Sequence, residues 1–361
     1  MSSMMKRTLV IINSEQFGYN PATYYYCKYL RNRYKVTYIG WDHGLKKINM
    51  PGVRIEYARR SGGLAIRVVR FLKKILVLTS STNSIIFIKH FKGISTIIRL
   101  ARRHNPLVLD IRTGSIESNR LKRFIADCII KFESKLFKNV TVISQSLASR
   151  LGLIRRATLL PLGADIISET NKSFTDLNLL YVGTLYNRNI DQAVKGFAGF
   201  YQNHRKDIST QFTIIGAGLG SEVEFLKSLV KKLHIDDVVH IIGRVPHDQL
   251  QKYFDSHNVG VSYIPITDYY DVQPATKTFE YLLSGMPVIA TANYENKLAI
   301  NESNGIVTGD TAEEFSQGIV DLYNKRSLYN SSRIRNDAYG YKWENIVADL
   351  SIYLESISEK I

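Results

Sequence analysis

The chain has 361 residues, of which 45% are hydrophobic and 22% are charged. This length and composition exclude a disordered chain, a collagen and a small disulfide scaffold, and they predict two globular domains. The formal net charge of +16 is unevenly placed: residues 1–165 hold 30 Lys and Arg against 8 Asp and Glu, whereas residues 166–361 hold 18 against 24. The basic half therefore favours an anionic partner. Nucleic acid, a membrane surface and a phosphorylated substrate all fit this charge.

In chain order, the first half alternates short apolar runs with amphipathic segments, as expected of an α/β domain with a parallel sheet. Strands are predicted at 7–13, 35–41, 53–58, 84–90, 106–112 and 139–146. Helices are predicted at 21–33, 63–78, 93–103 and 118–138. Residues 158–176 are rich in Pro, Gly and polar residues and are predicted to be the linker between the domains.

A second alternating series follows the linker. Its strands are predicted at 177–183, 211–218, 238–244, 259–265, 287–292 and 305–309. Two consecutive doubly wound domains are therefore expected. The last stretch, 341–357, has the apolar spacing of an amphipathic helix.

The two cysteines, Cys27 and Cys128, are too few and too far apart for a zinc site or a disulfide framework. The N-terminus lacks the core of a signal peptide, and no run of 18 apolar residues is present. These features predict a cytoplasmic protein without a bound metal.

The junction after strand 259–265 carries the clearest chemistry. Pro274 is expected in the first turn of a helix, where its missing N–H does no harm, so that the amides of Ala275 and Thr276 face the preceding loop. Such a helix start binds anions, and Lys277 adds a positive charge. Glu280 lies one turn further on, placed to bind ribose hydroxyls. A simple helix cap with a solvated glutamate explains the same residues equally well.

The run Gly216-Ala217-Gly218-Leu219-Gly220 has some similarity to a dinucleotide fingerprint. Its glycine spacing differs from G-x-G-x-x-G, and no acidic residue ends the following strand. A tight turn before a helix is the better interpretation, and no nicotinamide site is predicted.

Three segments together resemble the donor domain of retaining GT-B glycosyltransferases, in particular glycosyltransferase family 4. They are TKTFEYLLSGMPVIAT at 276–291, LLYVGTLYNRNID at 179–191 and the glycine turn, helix and strand of 212–250. The resemblance implies two Rossmann-like domains that face a central cleft. The first would span 1–165 together with a returning C-terminal helix at 341–361, and the second, which binds the donor, would span 166–340.

The resemblance also implies roles for residues of the second domain. Glu280 would hold the ribose, and Arg188 and Lys277 would neutralise the diphosphate. The carboxylate expected eight residues before Glu280 is replaced by Val272, with Asp271 beside it. Backbone groups would complete the donor site: Gly183, Ala275 and Thr276 at the phosphates, and Gly243, Arg244 and Val245 at the nucleobase.

In the first domain, the resemblance places Gly18 beside donor and acceptor. His90 and Arg112 end two predicted strands, near where the family contacts the transferred sugar. A structural hydrogen bond is an equally good interpretation of either side chain.

The function implied is transfer of a sugar from a nucleotide-diphosphate sugar to a lipid-linked or phosphorylated glycan acceptor in surface polysaccharide synthesis, with retention of configuration and without metal or cofactor. The basic segments 64–78 and 120–138 favour peripheral contact with the anionic inner face of the cytoplasmic membrane. No recognition motif for nucleic acid is present. Two alternatives remain, a sugar-nucleotide epimerase of the same architecture and a non-catalytic protein that binds anions or nucleic acid.

Overall fold

A computed structural model describes residues 6–81, 84–218 and 220–358. The chain forms two compact units, Met1–Leu162 with Trp343–Ile361, and Gly163–Lys342. The boundaries predicted from the sequence are 165/166 and 340/341. Leu219 of the glycine-rich run and residues 359–361 of the predicted C-terminal segment lie outside the described residues.

The first unit contains a seven-stranded parallel sheet in the order β3-β2-β1-β4-β5-β6-β7. Its strands are β1 (Thr8–Ile12), β2 (Lys35–Asp42), β3 (Val53–Arg59), β4 (Ile85–Lys89), β5 (Leu107–Ile111), β6 (Asn139–Val142) and β7 (Ala157–Leu159). The connecting helices are α1 (Pro21–Leu30), α2 (Leu64–Leu78), α3 (Ile94–Ala101), α4 (Arg120–Ser134) and α5 (Gln145–Arg150). The central strands are buried on both faces, which explains their unbroken runs of β-branched and other apolar residues.

Two predictions for the end of this unit are wrong. The strand predicted at 139–146 ends at Val142, because the Ser144 hydroxyl accepts a hydrogen bond from the Leu147 amide and caps α5. The predicted linker 158–176 begins inside β7, which pairs with β6 and completes the first sheet. Short apolar runs beside polar residues fit a strand and a capped helix equally well, and only the pairing distinguishes them.

The second unit contains a six-stranded parallel sheet in the order β10-β9-β8-β11-β12-β13. Its strands are β8 (Leu177–Val182), β9 (Thr210–Ile215), β10 (Val239–Gly243), β11 (Val259–Ser262), β12 (Val288–Thr291) and β13 (Gly305–Thr308). Its helices are α6 (Ile190–His204), α7 (Glu222–Lys232), α8 (Gln251–Ser256), α9 (Thr276–Leu283), α10 (Tyr294–Ala299), α11 (Ala312–Lys325) and α12 (Ser331–Asp337).

The last helix, α13 (Trp343–Ser358), returns to the first unit. Trp343 is buried there, stacks on the ring of Tyr25 at 5.1 Å between centroids and meets Tyr26 edge-on. Further apolar residues along one side of α13, among them Leu350 and Leu354, join the same core. The predicted α/β architecture, with two doubly wound domains and a returning helix, is confirmed. None of the helices in the described part of the chain is long and apolar enough to cross a membrane.

Candidate functional site

The site of the second unit lies where its strand order reverses. β8 and β11 are adjacent in the sheet, but β9 lies on one side of the pair and β12 on the other. Ligands of doubly wound sheets bind in the crevice at the carboxyl ends of such strands. A cavity of about 340 Å³ is found here, lined by the loop that follows β8 and by the start of α9.

Helix α9 starts without a side-chain cap. Ala275 is the N-cap residue, with an extended backbone, and its side chain has no oxygen with which to accept a hydrogen bond from the first turn. Pro274 precedes the cap, so the prediction that it occupies the first turn is wrong by two positions. The amides at the start of α9 nevertheless face the cavity, and partial positive charge accumulates at this N-terminal end of the helix.

Packing fixes the position of α9 over the sheet. The Tyr281 hydroxyl accepts a hydrogen bond from the Val182 amide at 2.8 Å, and the Thr278 hydroxyl bonds to that of Ser262 at 2.7 Å. The Tyr281 ring lies directly over Gly260, where an added Cβ would come within 2.2 Å of it. Because β8 and β11 both hold the helix, its first turn is a rigid part of the cavity wall.

The amino group of Lys277 is buried and forms no ion pair with any residue that the structure describes. Its Nζ lies 3.8 Å from the centroid of the Tyr181 ring and has no hydrogen-bond partner among the described residues. Burial and the nearby Arg188 guanidinium lower the pKa of Lys277 well below its ordinary value. Gly183 makes room for this side chain, because a Cβ there would lie 2.8 Å from Nζ. An ammonium group left in this state is a strong site for an anion.

Arg188 lines the same cavity. Its guanidinium stacks over the Tyr270 ring at 4.2 Å, and its Nη1 is buried without a hydrogen-bond partner among the described residues. Asn187 and Asn189, on either side of it, have φ of 54° and 51°. Asparagine tolerates this left-handed backbone, which turns the loop so that Arg188 lines the cavity.

Glu280 forms the acidic part of the cavity wall. Its carboxylate lies 3.9 Å from Nε2 of His247, and this neighbour raises the pKa of His247 while partial burial opposes the rise. Burial raises the pKa of Asp165 to about 6, with a further contribution from Glu280. The cavity wall therefore carries basic side chains at Arg188 and Lys277 and a carboxylate at Glu280. These groups complement a ligand in which an anionic diphosphate is linked to a hydroxylated sugar.

The structure brings together most of the residues predicted in the second unit. Six of them line the cavity: Gly183, Arg188, Ala275, Thr276, Lys277 and Glu280. Gly243 ends β10 and is followed by Arg244 and Val245, and none of the three lines the cavity, although His247, three residues after Arg244, does. The Asp271 carboxylate accepts a hydrogen bond from the Tyr294 amide at the start of α10. The functional roles assigned to these residues stay predictions.

Sequence reasoning missed His247, Tyr181 and Tyr270. His247 lies in the loop that follows a predicted strand, at the edge of the sheet where ligands bind. That position is the feature of the sequence that could have indicated His247 as a site residue. The two tyrosines carry no such signal, because an aromatic residue that packs on a cation is not distinguishable in sequence from one in the core.

The residues predicted in the first unit make local contacts. His90 Nε2 lies 2.7 Å from Oε2 of Glu133, whose other oxygen accepts from the Gly93 amide and the Thr96 hydroxyl. Burial opposes ionisation of Glu133, but these hydrogen bonds hold its pKa below the ordinary value. The cluster joins the end of β4 to α4, which agrees with the interpretation that His90 forms a structural hydrogen bond.

Arg112 is nearly buried, and its guanidinium donates to the carbonyls of Leu160 at 2.6 Å and Pro161 at 3.4 Å. It also lies 4.0 Å from the buried Asp110. Gly18, in the loop after β1, has φ of 89°, a conformation that favours glycine. Contacts of His90 and Arg112 with a transferred sugar stay predictions. No group of three or more potential metal ligands is found among the residues that the structure covers.

Comparison with known protein families gives a match within the second unit. Residues 176–325 match the family model described as "Glycosyl transferases group 1". A comparison with curated proteins gives no match.

Solved structures resemble the whole chain. A sucrose-phosphate synthase from Thermosynechococcus elongatus has a TM-score of 0.76 at 15% identity, covering 99% of this chain and 100% of that one. The Anabaena protein HepE in complex with UDP has a TM-score of 0.75 at 14% identity, covering 97% and 100%. A glycosyltransferase from Rickettsia africae has a TM-score of 0.73 at 12% identity, covering 98% and 99%. At these identities the likeness shows the fold.

Proposed function

Because residues 176–325 belong to the group 1 glycosyl transferases, we propose that the cavity of the second unit binds the diphosphate of a nucleotide sugar, whose sugar the enzyme transfers to an acceptor hydroxyl. The glycosyltransferase family and the GT-B fold predicted from the sequence are confirmed. The narrower placement in family 4 stays a prediction. The observation that supports our proposal best is a pair of buried basic nitrogens on one cavity, Lys277 Nζ and Arg188 Nη1, neither of which has a hydrogen-bond partner in the described part of the chain.

The proposed chemistry is electrostatic. The acceptor oxygen bonds to the anomeric carbon as the bond from that carbon to the β-phosphate oxygen breaks, and the acceptor proton passes to the departing diphosphate. Negative charge grows on the leaving group, and Lys277, Arg188 and the first amides of α9 are donors fixed in advance around it. This arrangement supports a metal-independent reaction. Transfer on the same face, with retention of configuration, is part of the proposal.

A uridine nucleotide is the first donor to test, because HepE was solved in complex with UDP. The proposed acceptor is a lipid-linked or phosphorylated glycan used for surface polysaccharide. Its support is the charge of the first half, which holds 30 basic against 8 acidic residues. An enzyme that works on such an acceptor is proposed to lie at the cytoplasmic face of a membrane, held peripherally.

A thermal-shift series tests the donor assignment. We expect one of UDP, GDP or dTDP to raise the unfolding midpoint, because a ligand at 100 times its Kd stabilises the native state by about 2.7 kcal/mol. The matching nucleotide sugar is then incubated with membranes that supply acceptor, and transfer is measured. A series in which no nucleotide diphosphate shifts the midpoint and no nucleotide sugar is turned over contradicts the proposal.

Replacement of Glu280 by glutamine is expected to lower kcat/KM for the nucleotide sugar at least tenfold, about 1.4 kcal/mol, because an amide is a weaker acceptor for two ribose hydroxyls than a carboxylate. Loss of the charge is also expected to lower the pKa of His247, which nuclear magnetic resonance titration measures. Glu313→Gln, at an exposed glutamate of α11, is the control. Unchanged kcat/KM in Glu280→Gln contradicts the role proposed for Glu280.

A further inference from the structure

Three helices of the first unit lie side by side on one face of its sheet. The connections β3→β4, β4→β5 and β5→β6 all run in the same direction across the sheet, so right-handed crossovers place α2, α3 and α4 together. The connection β1→β2 runs the other way and places α1 on the opposite face, where it shares a core with α13. Glu133 of α4 bonds to Gly93 and Thr96 at the start of α3, which joins these two helices directly.

The solvent-exposed side of these helices carries many large apolar side chains, although polar residues are expected at positions in contact with water. Nine large apolar side chains on α2, α3 and α4 are more than half exposed. They are Leu64, Ile66, Val69, Val77, Leu100, Leu121, Phe124, Ile125 and Phe132. We call this surface the α2–α4 face. Scattered exposed apolar residues are normal, but a row of them along three neighbouring helices indicates a binding surface.

The charges on this face are almost all positive. Helices α2 and α3 contain no Asp or Glu, and the two acids of α4 are already engaged within the unit. Asp127 accepts from Arg150 at 2.8 Å, and Glu133 binds His90 and the start of α3. Exposed basic side chains stand among the apolar ones: Arg70, Lys73, Arg120, Lys122 and Lys131. Large apolar side chains bordered by Lys and Arg, without free carboxylates, match the interface of a bilayer that contains anionic lipids.

We propose that the α2–α4 face is the surface by which the protein lies on an anionic membrane, with the nine apolar side chains inserted at the level of the lipid head groups. A second copy of this chain is a poorer occupant, because a symmetric contact would bring two basic faces together. The inference deepens the proposed function, since it names the surface that would carry the enzyme to a membrane-bound acceptor.

The chain offers its own probe for this contact. Cys128 is exposed on α4, four residues before Phe132 and three after Ile125, on the same stripe of the helix. Cys27 is buried, and burial raises the pKa of its thiol, so a thiol-reactive fluorophore labels Cys128 selectively. We expect the emission of the full-length, labelled protein to shift to shorter wavelength with vesicles of phosphatidylcholine and phosphatidylglycerol. We expect no such shift with phosphatidylcholine alone.

Two matched double variants test the location of the contact. Phe124→Glu with Phe132→Glu is expected to weaken sedimentation with the anionic vesicles at least tenfold, because two inserted rings are replaced by charges that the lipids repel. Leu328→Glu with Ile352→Glu adds the same charge at exposed positions off this face and is expected to bind within about threefold of the wild type, through weaker general attraction. Equal binding by both double variants overturns the proposal, as do equal binding to neutral and anionic vesicles and self-association without vesicle binding.

Failure of this inference is distinguishable from failure of the proposed function. Turnover of the nucleotide sugar is measured in the same preparation without vesicles, by release of the nucleotide diphosphate. Turnover without vesicle binding overturns the membrane face alone. Vesicle binding without any nucleotide binding or turnover supports the face and contradicts the proposed function.

Discussion

Replacement of Lys277 by methionine is expected to remove most of the turnover of the nucleotide sugar and to leave the protein at least as stable as the wild type. The ammonium group is buried without a hydrogen-bond partner among the described residues, so the folded protein bears the cost of a desolvated charge. Methionine has a similar length and no charge, and it keeps the contact with the Tyr181 ring. We therefore expect kcat/KM to fall at least tenfold while the free energy of unfolding stays unchanged or rises.

The pH dependence of this stability difference has a definite sign. The pKa of Lys277 is lower in the folded protein than in the unfolded chain, so the unfolded chain binds more protons between the two values. The charge of Lys277 therefore opposes folding most strongly at pH values below the lowered pKa. The advantage of Lys277→Met is expected to be largest there, to fade as the pH rises from the lowered pKa to the ordinary lysine pKa of about 10.4, and to be absent above it. Denaturant titrations of both proteins at several pH values measure it.

Binding of the diphosphate gives a second measurement. A bound anion supplies the missing counter-charge and raises the pKa of Lys277, so binding is expected to take up protons. Calorimetry in two buffers with different ionisation enthalpies detects this uptake, which should be reduced in Lys277→Met. Lys195→Met is the control, because Lys195 is exposed and pairs with Asp191 on the surface of α6. Normal turnover by the Lys277→Met protein contradicts the role proposed for Lys277. A fall in the free energy of unfolding large enough to explain the lost turnover also contradicts it.

The sequence predicted the cavity well where chain neighbours build it. The residues from Ala275 to Glu280 are consecutive, so their helical spacing alone places Lys277 and Glu280 on one wall. Arg188 was found by its position after a strand, which the rules for doubly wound sheets link to the same edge. His247 and Asp165 were not found, because both are far from Glu280 in the sequence. Nothing in their own segments indicates that His247 lies 3.9 Å from the Glu280 carboxylate or that Glu280 helps to raise the pKa of Asp165.

The prediction of the fold failed only where local sequence supports two structures. The run after Val142 fits a strand by its composition, but the Ser144 hydroxyl caps a helix there. His90 shows the same limit at a single side chain. Its partner Glu133 lies 43 residues away, and only the packing of α4 beside α3 reveals that the imidazole is already hydrogen-bonded.

The final helix is expected to decide the stability of the first unit, although it follows the second unit in the chain. Trp343→Ala removes a buried indole that packs on Tyr25 and Tyr26, and such a deletion in a core costs about 3–5 kcal/mol. The free energy of unfolding of the first unit should fall by that amount. Ile352→Ala, at an exposed position of the same helix, should change it by about 0.5 kcal/mol or less.

Two reporters separate the units in this experiment. The chain has two tryptophans, Trp41 and Trp343, and both lie in the first unit. In Trp343→Ala the remaining Trp41, buried against the Phe71 ring, therefore reports the unfolding of that unit by its fluorescence. The stabilisation of the second unit by a nucleotide diphosphate should persist, because Lys277 and Arg188 are held by β8, β11 and α9. If denaturant shifts the Trp41 transition equally in Trp343→Ala and Ile352→Ala, the helix packs on the first unit without stabilising it, and this prediction is wrong.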